Sequence, residues 1–351
     1  MSVSFRTKTL DTEMKQKSTY LFFFLPAALL LSLAGCHKAP VAEAGGTAEI
    51  GISPSTAGMS KATFYSTDNI TTVDLKIFAY LQGTTTAFID GDKYHYIPEF
   101  TDWRFYQGAS IVHHYWPIVG SYWNSTEMTG RLDFVGYLPY DLTNTGVTLD
   151  TYSAGNPAFH ADLSDVSYAT QKEFLYAYAD DQTAAGGAVE MEFHHPFSSV
   201  YFVLDVAPRG TVIKSITLTN IYREADFAHT DTPKWSGHDN LGTYAVTGIN
   251  KTVPNELNYG QTIGGPYLVI PQTLNHQTAS VYDTAISVNY TDPSDGEDHV
   301  AAGVIGGAAV VWAPGTAYTY SLSIGERSDD GILNVTVTSW IIEGASTSDI
   351  D

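Results

Sequence analysis

The chain has 351 residues, 44% of them hydrophobic and only 16% charged, which is enough apolar material for more than one ordinary domain. Its 17 Lys and Arg against 38 Asp and Glu leave a net charge of −21, which repels phosphate backbones and excludes a general nucleic-acid binder. The single cysteine, Cys36, excludes an internal disulfide framework and any cysteine-rich metal site.

Residues 1–35 read as a secretory signal peptide with its true start at Met14. Lys15 and Lys17 precede a short apolar run from Tyr20 to Leu33, with small residues after it, a pattern of export and not of a membrane span. The tetrad Leu33-Ala34-Gly35-Cys36 places the sole cysteine where a bacterial lipoprotein signal needs one, so Cys36 is the expected lipidation site and new N-terminus. Cleavage there removes four basic and two acidic residues, leaving 13 basic against 36 acidic. An anionic bilayer repels such a body, so the acyl chains, worth about 0.8 kcal/mol per buried methylene, hold it at the membrane. Residues 36–47 lack a core pattern and form a lipidated tether.

From about residue 48 to 340 apolar and polar residues alternate in short runs, and 23 Tyr, 30 Gly and 15 Pro supply pleated surfaces and the turns between them. Val73, Leu75, Ile77, Ala79 and Leu81 share one strand face, with Asp74 and Lys76 on the other. Val189, Met191 and Phe193 alternate with Glu190 and Glu192, and Val200 to Val206 follows. Further strands are predicted at Ile216–Leu218, Tyr282–Tyr290, Tyr318–Ile324 and Leu333–Val337, closing at Trp340. Only Gln171–Ala179 is compatible with a turn or two of helix. The pattern is an all-β sandwich architecture. The Ala184–Ala188 segment interrupts it, giving an expected N-terminal sandwich over 48–185 and a C-terminal one over 186–351.

Chemistry is sparse. The adjacent pairs His113-His114 and His194-His195 point to opposite faces of a strand, so neither chelates one ion. Asp292 to Asp298 packs four carboxylates around a glycine turn, which suits calcium or, more simply, a solvated hairpin tip. A serine nucleophile elbow and a phosphate loop are both missing from the sequence, and no local motif selects a catalytic carboxylate pair. Trp103, Tyr106, Tyr115, Trp116, Tyr122 and Trp123 offer faces on which a sugar can stack, or else pack a β core and its rim. No enzyme is indicated, and no cofactor.

Several landmarks recur in a familiar order. They are Ile77-Phe78-Ala79-Tyr80, Tyr115-Trp116-Pro117, and Leu132-Asp133-Phe134-Val135-Gly136-Tyr137-Leu138-Pro139. After them come Leu175-Tyr176-Ala177-Tyr178-Ala179, Val189 to Ser198, Leu268-Val269-Ile270-Pro271-Gln272, and Tyr318 to Leu322 with the late Trp340. In that order, behind a lipoprotein signal, the chain resembles the fimbrillin family of Bacteroidetes pilus lipoproteins, close to its Mfa-like group. The two prolines Pro117 and Pro139 should each end a strand or sit at an edge.

The resemblance implies two tandem transthyretin-like Greek-key β-sandwich domains and a fimbrial, type V pilus-like structural subunit, anchor or minor component. It implies outer-membrane export, proteolysis near the N-terminus, and replacement of the first strand by one from a neighbouring subunit. The implied partners are other pilus subunits through β-strand addition, the outer membrane through the lipid on Cys36, and a host surface or glycan. Ala48-Glu49-Ile50-Gly51-Ile52-Ser53 resembles that first strand, with Ala48, Ile50 and Ile52 inward. The family's processing arginine is absent. The corresponding place reads Ser60-Lys61-Ala62-Thr63, and no arginine occurs between Cys36 and Trp103. Either a protease accepting lysine cuts after Lys61, or the protein keeps its lipid and first strand, as a basal anchor would. The competing reading is a surface glycan-binding lipoprotein. Acidity alone makes one prediction: without lipid, turbidity against pH should peak near the sequence pI of 4.6, where net charge vanishes.

Overall fold

Period-two segments become strands because alternate side chains can then share one buried face while every backbone group pairs laterally. The computed structural model describes residues 48–57, 65, 69–117, 130–153, 156–229, 234–254, 261–274, 283–306, 310–325 and 333–341. In the first half lie β1 (Ile52–Thr56), β2 (Leu75–Leu81), β3 (Ala87–Ile97), β4 (Asp102–Gln107) and β5 (Ser110–Val112). They are followed by β6 (Leu132–Leu138), β7 (Val147–Ser153), β8 (Asn156–Asp162), β9 (Leu175–Gln182) and β10 (Val189–Phe193). No helix among the described residues is long and apolar enough to cross a membrane.

Six of these strands form one antiparallel sheet in the order β5-β4-β3-β2-β6-β9, while β1 and β10 pair in parallel. The first core joins them: Ile50 and Ile52, then Leu75 and Ile77, then Leu132 and Phe134, then Val189, Met191 and Phe193. The sheet's other face is also buried. Phe78 and Tyr80 of β2, Val135 and Tyr137 of β6 and Tyr176 of β9 form a second cluster with Phe159 of β8. Thus β6 is buried at all seven positions. Gly136 sits where a Cβ would come within 2.9 Å of Met191 Cε and 3.0 Å of Phe193 Cζ, so only glycine leaves room for β10. As expected of its proline, β6 stops at Leu138, just before Pro139. Gln171–Ala179 is not helical: it runs into β9, whose Leu175 and Ala179 lie opposite Leu138 and Phe134 of β6. Pairing on a sheet buried on both faces overrides local helical preference.

In the second half lie β11 (Ser198–Val206), β12 (Val212–Ala228), β13 (Lys234–Val246), β14 (Lys251–Thr252), β15 (Gln261–Val269) and β16 (Gln272–Thr273). Then come β17 (Ala285–Thr291), β18 (Asp298–Val304), β19 (Val311–Trp312), β20 (Thr316–Ile324) and β21 (Leu333–Ile341). A sheet ordered β15-β11-β20-β21 packs over β18-β17-β12, and Val200, Phe202, Ile216, Val288, Trp312 and Leu322 are among the residues between them. Trp312 is fully enclosed because its Nε1–H donates to the Tyr320 hydroxyl at 2.8 Å.

The long strand β12 belongs to two neighbourhoods. Its start pairs with β17, while Glu224–Ala228 pairs with β8, so the β7–β8 hairpin of the first half extends a sheet of the second. Core membership does not change at 185/186, where Ala184–Gly186 makes one 3-10 turn. It changes between Phe193 of β10, in the first core, and Val200 of β11, in the last.

The many enclosed tyrosines carry a pH consequence. Burial is the main cause that pushes the hydroxyls of Tyr80, Tyr94 and Tyr137 up from 10.0 to about 12. Their folded-state values exceed the unfolded one, so this contribution to stability is complete below pH 10 and lost as pH rises through 12. Thermal melts should therefore hold level up to about pH 9 and fall steeply above about pH 10.5. A melting temperature flat to pH 12 would contradict this.

Candidate functional site: the first strand and its cleft

The segment Ala48–Ala57 alternates Ala48, Ile50 and Ile52 on one side, and the structure turns that side inward. Ile50 and Ile52 are 2% and 5% exposed, and Ala48 packs half-buried against the same core. The segment lies between two backbone edges. Its first part runs antiparallel to His113–Trp116: the Ile50 N–H donates to His114 O at 2.7 Å and the Trp116 N–H to Ala48 O at 2.9 Å. Its second part is β1, which runs parallel to β10 in a register from Ile52↔Val189 to Thr56↔Phe193. The Val189 N–H donates to Gly51 O at 2.8 Å, and the Ala57 N–H to Phe193 O at 2.9 Å. Pro54, which has no N–H, sits in this short strand opposite Met191.

A side chain from the sheet beneath adds a third hold. The Tyr94 hydroxyl accepts from the Ile52 N–H at 3.1 Å and donates to Ile52 O at 3.2 Å. Beyond Ala57, residues 58–64, and with them Lys61, lie outside the described residues, as do Cys36, Tyr122 and Trp123. The chain is described again at Tyr65, whose N–H donates to Glu173 Oε2 at 2.6 Å. The other oxygen of Glu173 lies 2.6 Å from His195 Nδ1, in a pair whose side chains are 8% and 4% exposed.

The adjacent histidines part as strand geometry requires. His113 Nδ1 lies 2.7 Å from Glu49 Oε1, while His114 Nε2 lies 2.7 Å from Asp92 Oδ2. His194 forms a backbone bridge with Tyr176 while His195 turns to Glu173. No three His, Cys, Asp or Glu side chains converge as a metal site among the described residues. In the acidic turn the carboxylates serve donors of the hairpin itself and, at Asp298, Lys214 of β12. Asp292 accepts the Ser294 N–H at 2.8 Å, Asp295 accepts the Glu297 N–H at 2.9 Å, and Asp298 binds Lys214 Nζ at 2.5 Å. The hydrogen bonds from Ser294 hold Asp292 below the usual carboxylate range.

Of the aromatics singled out for sugar stacking, Trp116 is 5% exposed and packs edge-on against Phe134 in the core. Trp103 stacks on Tyr94 with centroids 5.5 Å apart. It lines a cavity of about 250 Å³ together with Glu49, Ile52, Asp102 and Arg104. Among the described ones Tyr115 is exposed. Trp103 and Trp116 are therefore committed first to packing.

Against known proteins, the model of the fimbrillin-like family matches residues 60–340. The chain belongs to the fimbrillin-like family. Among solved structures, a protein described as a cell adhesion protein from Bacteroides uniformis aligns at 15% identity and a TM-score of 0.46, over 84% of this fimbrillin-like chain and 99% of that one. The fimbrial anchor protein Mfa2 from Porphyromonas gingivalis aligns at 7% identity and a TM-score of 0.32, over 84% and 99% of the two chains. The tip fimbrial protein Mfa3 of the same organism aligns at 8% identity and 0.34, over 76% and 94%. No curated protein matches the fimbrillin-like chain. The family match begins after the strand Ala48–Ala57 but contains both edges that flank it.

Sequence reading finds the inward isoleucines and misses Tyr94 and Glu173, which no local motif marks. Removing only the Tyr94 hydroxyl leaves the Ile52 amide without that partner, at a net cost of about 1 kcal/mol. In Tyr94→Phe, hydrogen exchange across residues 48–57 should quicken by about fivefold while the Val200–Leu204 core is unchanged. Equal rates in both proteins would show that the hydroxyl does not hold the strand.

Proposed function

We propose that this fimbrillin-like protein is a fimbrial structural subunit, an anchor or a minor component, that joins its neighbours by exchanging the strand 48–57. It acts in a surface appendage and carries out no covalent chemistry. The observation that supports this reading is the double flank of the strand. One ten-residue segment completes two separate backbone edges, His113–Trp116 and β10, and fills the gap between them with Ile50 and Ile52.

The physics is β-augmentation. If the strand leaves, the amide and carbonyl groups of both edges lose their partners, and the sites of two isoleucines open to water. Burying each isoleucine is worth roughly 1.5–3 kcal/mol, so an empty cleft is unfavourable and a replacement strand of the same alternation is drawn in. The strand's downstream connection runs through Lys61, and Tyr65 beyond it is tied to the buried Glu173. Cutting after Lys61 would free the strand while leaving the body of the protein fixed from Tyr65 onward. Without that cut the protein would stay lipid-anchored to the outer membrane through Cys36 with its own strand in place, as a basal anchor does. We further propose two tandem transthyretin-like sandwiches, dividing where core membership passes from β10 to β11.

A lock on the strand tests the proposal. Ser53 and Glu190 are register partners. Ser53→Cys with Glu190→Cys should tie the strand in place when oxidised, so that surface preparations show monomer and no detergent-resistant ladder. Reduction should restore the ladder. A ladder that forms with the disulfide intact would defeat strand exchange at this cleft. In the same preparations, Ala62 as the recovered N-terminal residue marks a primed subunit, and acylated Cys36 marks an anchor.

A further inference from the structure

We propose that β18 is a second interaction surface, at which another copy of this chain adds its own β18 antiparallel about Ala302. Among the described residues the strand lies at the end of its sheet and pairs with β17 alone, while β21 of the facing sheet runs close by. Edge strands in soluble proteins are ordinarily guarded by charge, proline, a bulge or shortness. The edge strand β5 is three residues long. By contrast β18 has seven residues, pairs with β17 without a register shift, and contains no proline. Val300 and Val304 are 60% and 51% exposed on its outer face, with Ala302 exposed between them. Their neighbours across the β17–β18 ladder are the uncharged Asn289, Ser287 and Ala285.

Charge placement selects the partner. The whole chain carries −21, so two copies repel over most approaches. Yet no Asp, Glu, Lys or Arg occurs from His299 to Gly325, and Asp298 is already paired with Lys214. A basic foreign protein would be drawn to the acidic surfaces and not to this neutral strip. A second copy can approach closely only along such a strip.

The pattern is also its own complement. Antiparallel pairing centred on Ala302 sets Val300 against Val304 of the second copy and Ala302 against itself, which makes one continuous apolar ridge. A register shifted by one residue would oppose outer to inner faces. The two Asp298 residues, with the acidic hairpin tips beyond them, then lie eight residue steps apart, about 27 Å at 3.4 Å per residue. That is well beyond the Debye length of about 8 Å at physiological salt. The arrangement is isologous and closes as a dimer. It is separate from the cleft at 48–57 and stands whether or not that strand is exchanged.

Sedimentation velocity on the chain carrying Cys36→Ser should show a concentration-dependent monomer–dimer equilibrium. Val300→Lys with Val304→Lys should return it to monomer with an unchanged melting curve. In the same cysteine-free background, oxidised Ala302→Cys should cross-link to its own counterpart. Val300→Cys should not, because its counterpart lies about 14 Å away along the paired strands. Monomer at every concentration, open-ended oligomers, a dimer indifferent to the lysine pair, or a cross-link through position 300 in place of 302 would each overturn the proposal.

Discussion

A backbone amide or carbonyl taken from water without a partner costs about 1–3 kcal/mol, and a strand edge presents a row of them. This constraint organises the protein. At one end of the six-stranded sheet β9 meets the end of β10 through the Tyr176–His194 backbone bridge; at the other the segment Ala48–Ala57 makes the link, antiparallel to His113–Trp116 and then parallel to β10. The bridging element is the first described segment of the chain, and it is held by main-chain pairing, two isoleucines, one tyrosine hydroxyl and the contact of Glu49 with His113. No covalent cross-link holds it among the described residues. Backbone pairing of this kind is indifferent to which chain supplies the strand.

The remainder of the molecule is held together by cores to which this segment does not contribute. The strand β6 is buried on both faces, toward the first core and toward the cluster around Phe159. The long β12 carries the β7–β8 hairpin at one end and β17 at the other. These shared strands tie the successive cores together without using the first strand. Glu173, with one oxygen on Tyr65 and the other near His195, anchors the chain just beyond the connection to that strand. A buried carboxylate with both oxygens engaged is costly to disturb, which fixes the chain at Tyr65.

Charge and its absence have different uses here. The strongly acidic surface keeps copies apart in general, while histidine–carboxylate pairs such as His113–Glu49 and His114–Asp92 fasten the edge segment beside the first strand. The uncharged run through β18 is one of several on an acidic molecule, and among the described residues its exposed valines sit on an edge that no other strand of its sheet covers. Neutral edges on a charged body confine association to a few orientations.

By itself the sequence determined several of the strands, among them Leu75–Leu81, Val189–Phe193, Ser198–Val206 and Thr316–Ile324, that β6 stops before Pro139, and that adjacent histidines serve separate partners. These follow from the two-residue period and from proline's missing amide, both properties of a few neighbouring residues. Only the tertiary structure decided that β2 and β6 bury both faces, since Asp74 and Lys76 made β2 look half-solvated while Phe78 and Tyr80 were already committed to a second cluster. The same holds for Leu175–Gln182 as a strand, for the parallel pairing of β1 with β10, and for Tyr94 reaching Ile52 across 42 residues of sequence. Which edges meet is a matter of long-range pairing among strands that look alike locally, and the period of a strand carries no record of its neighbour.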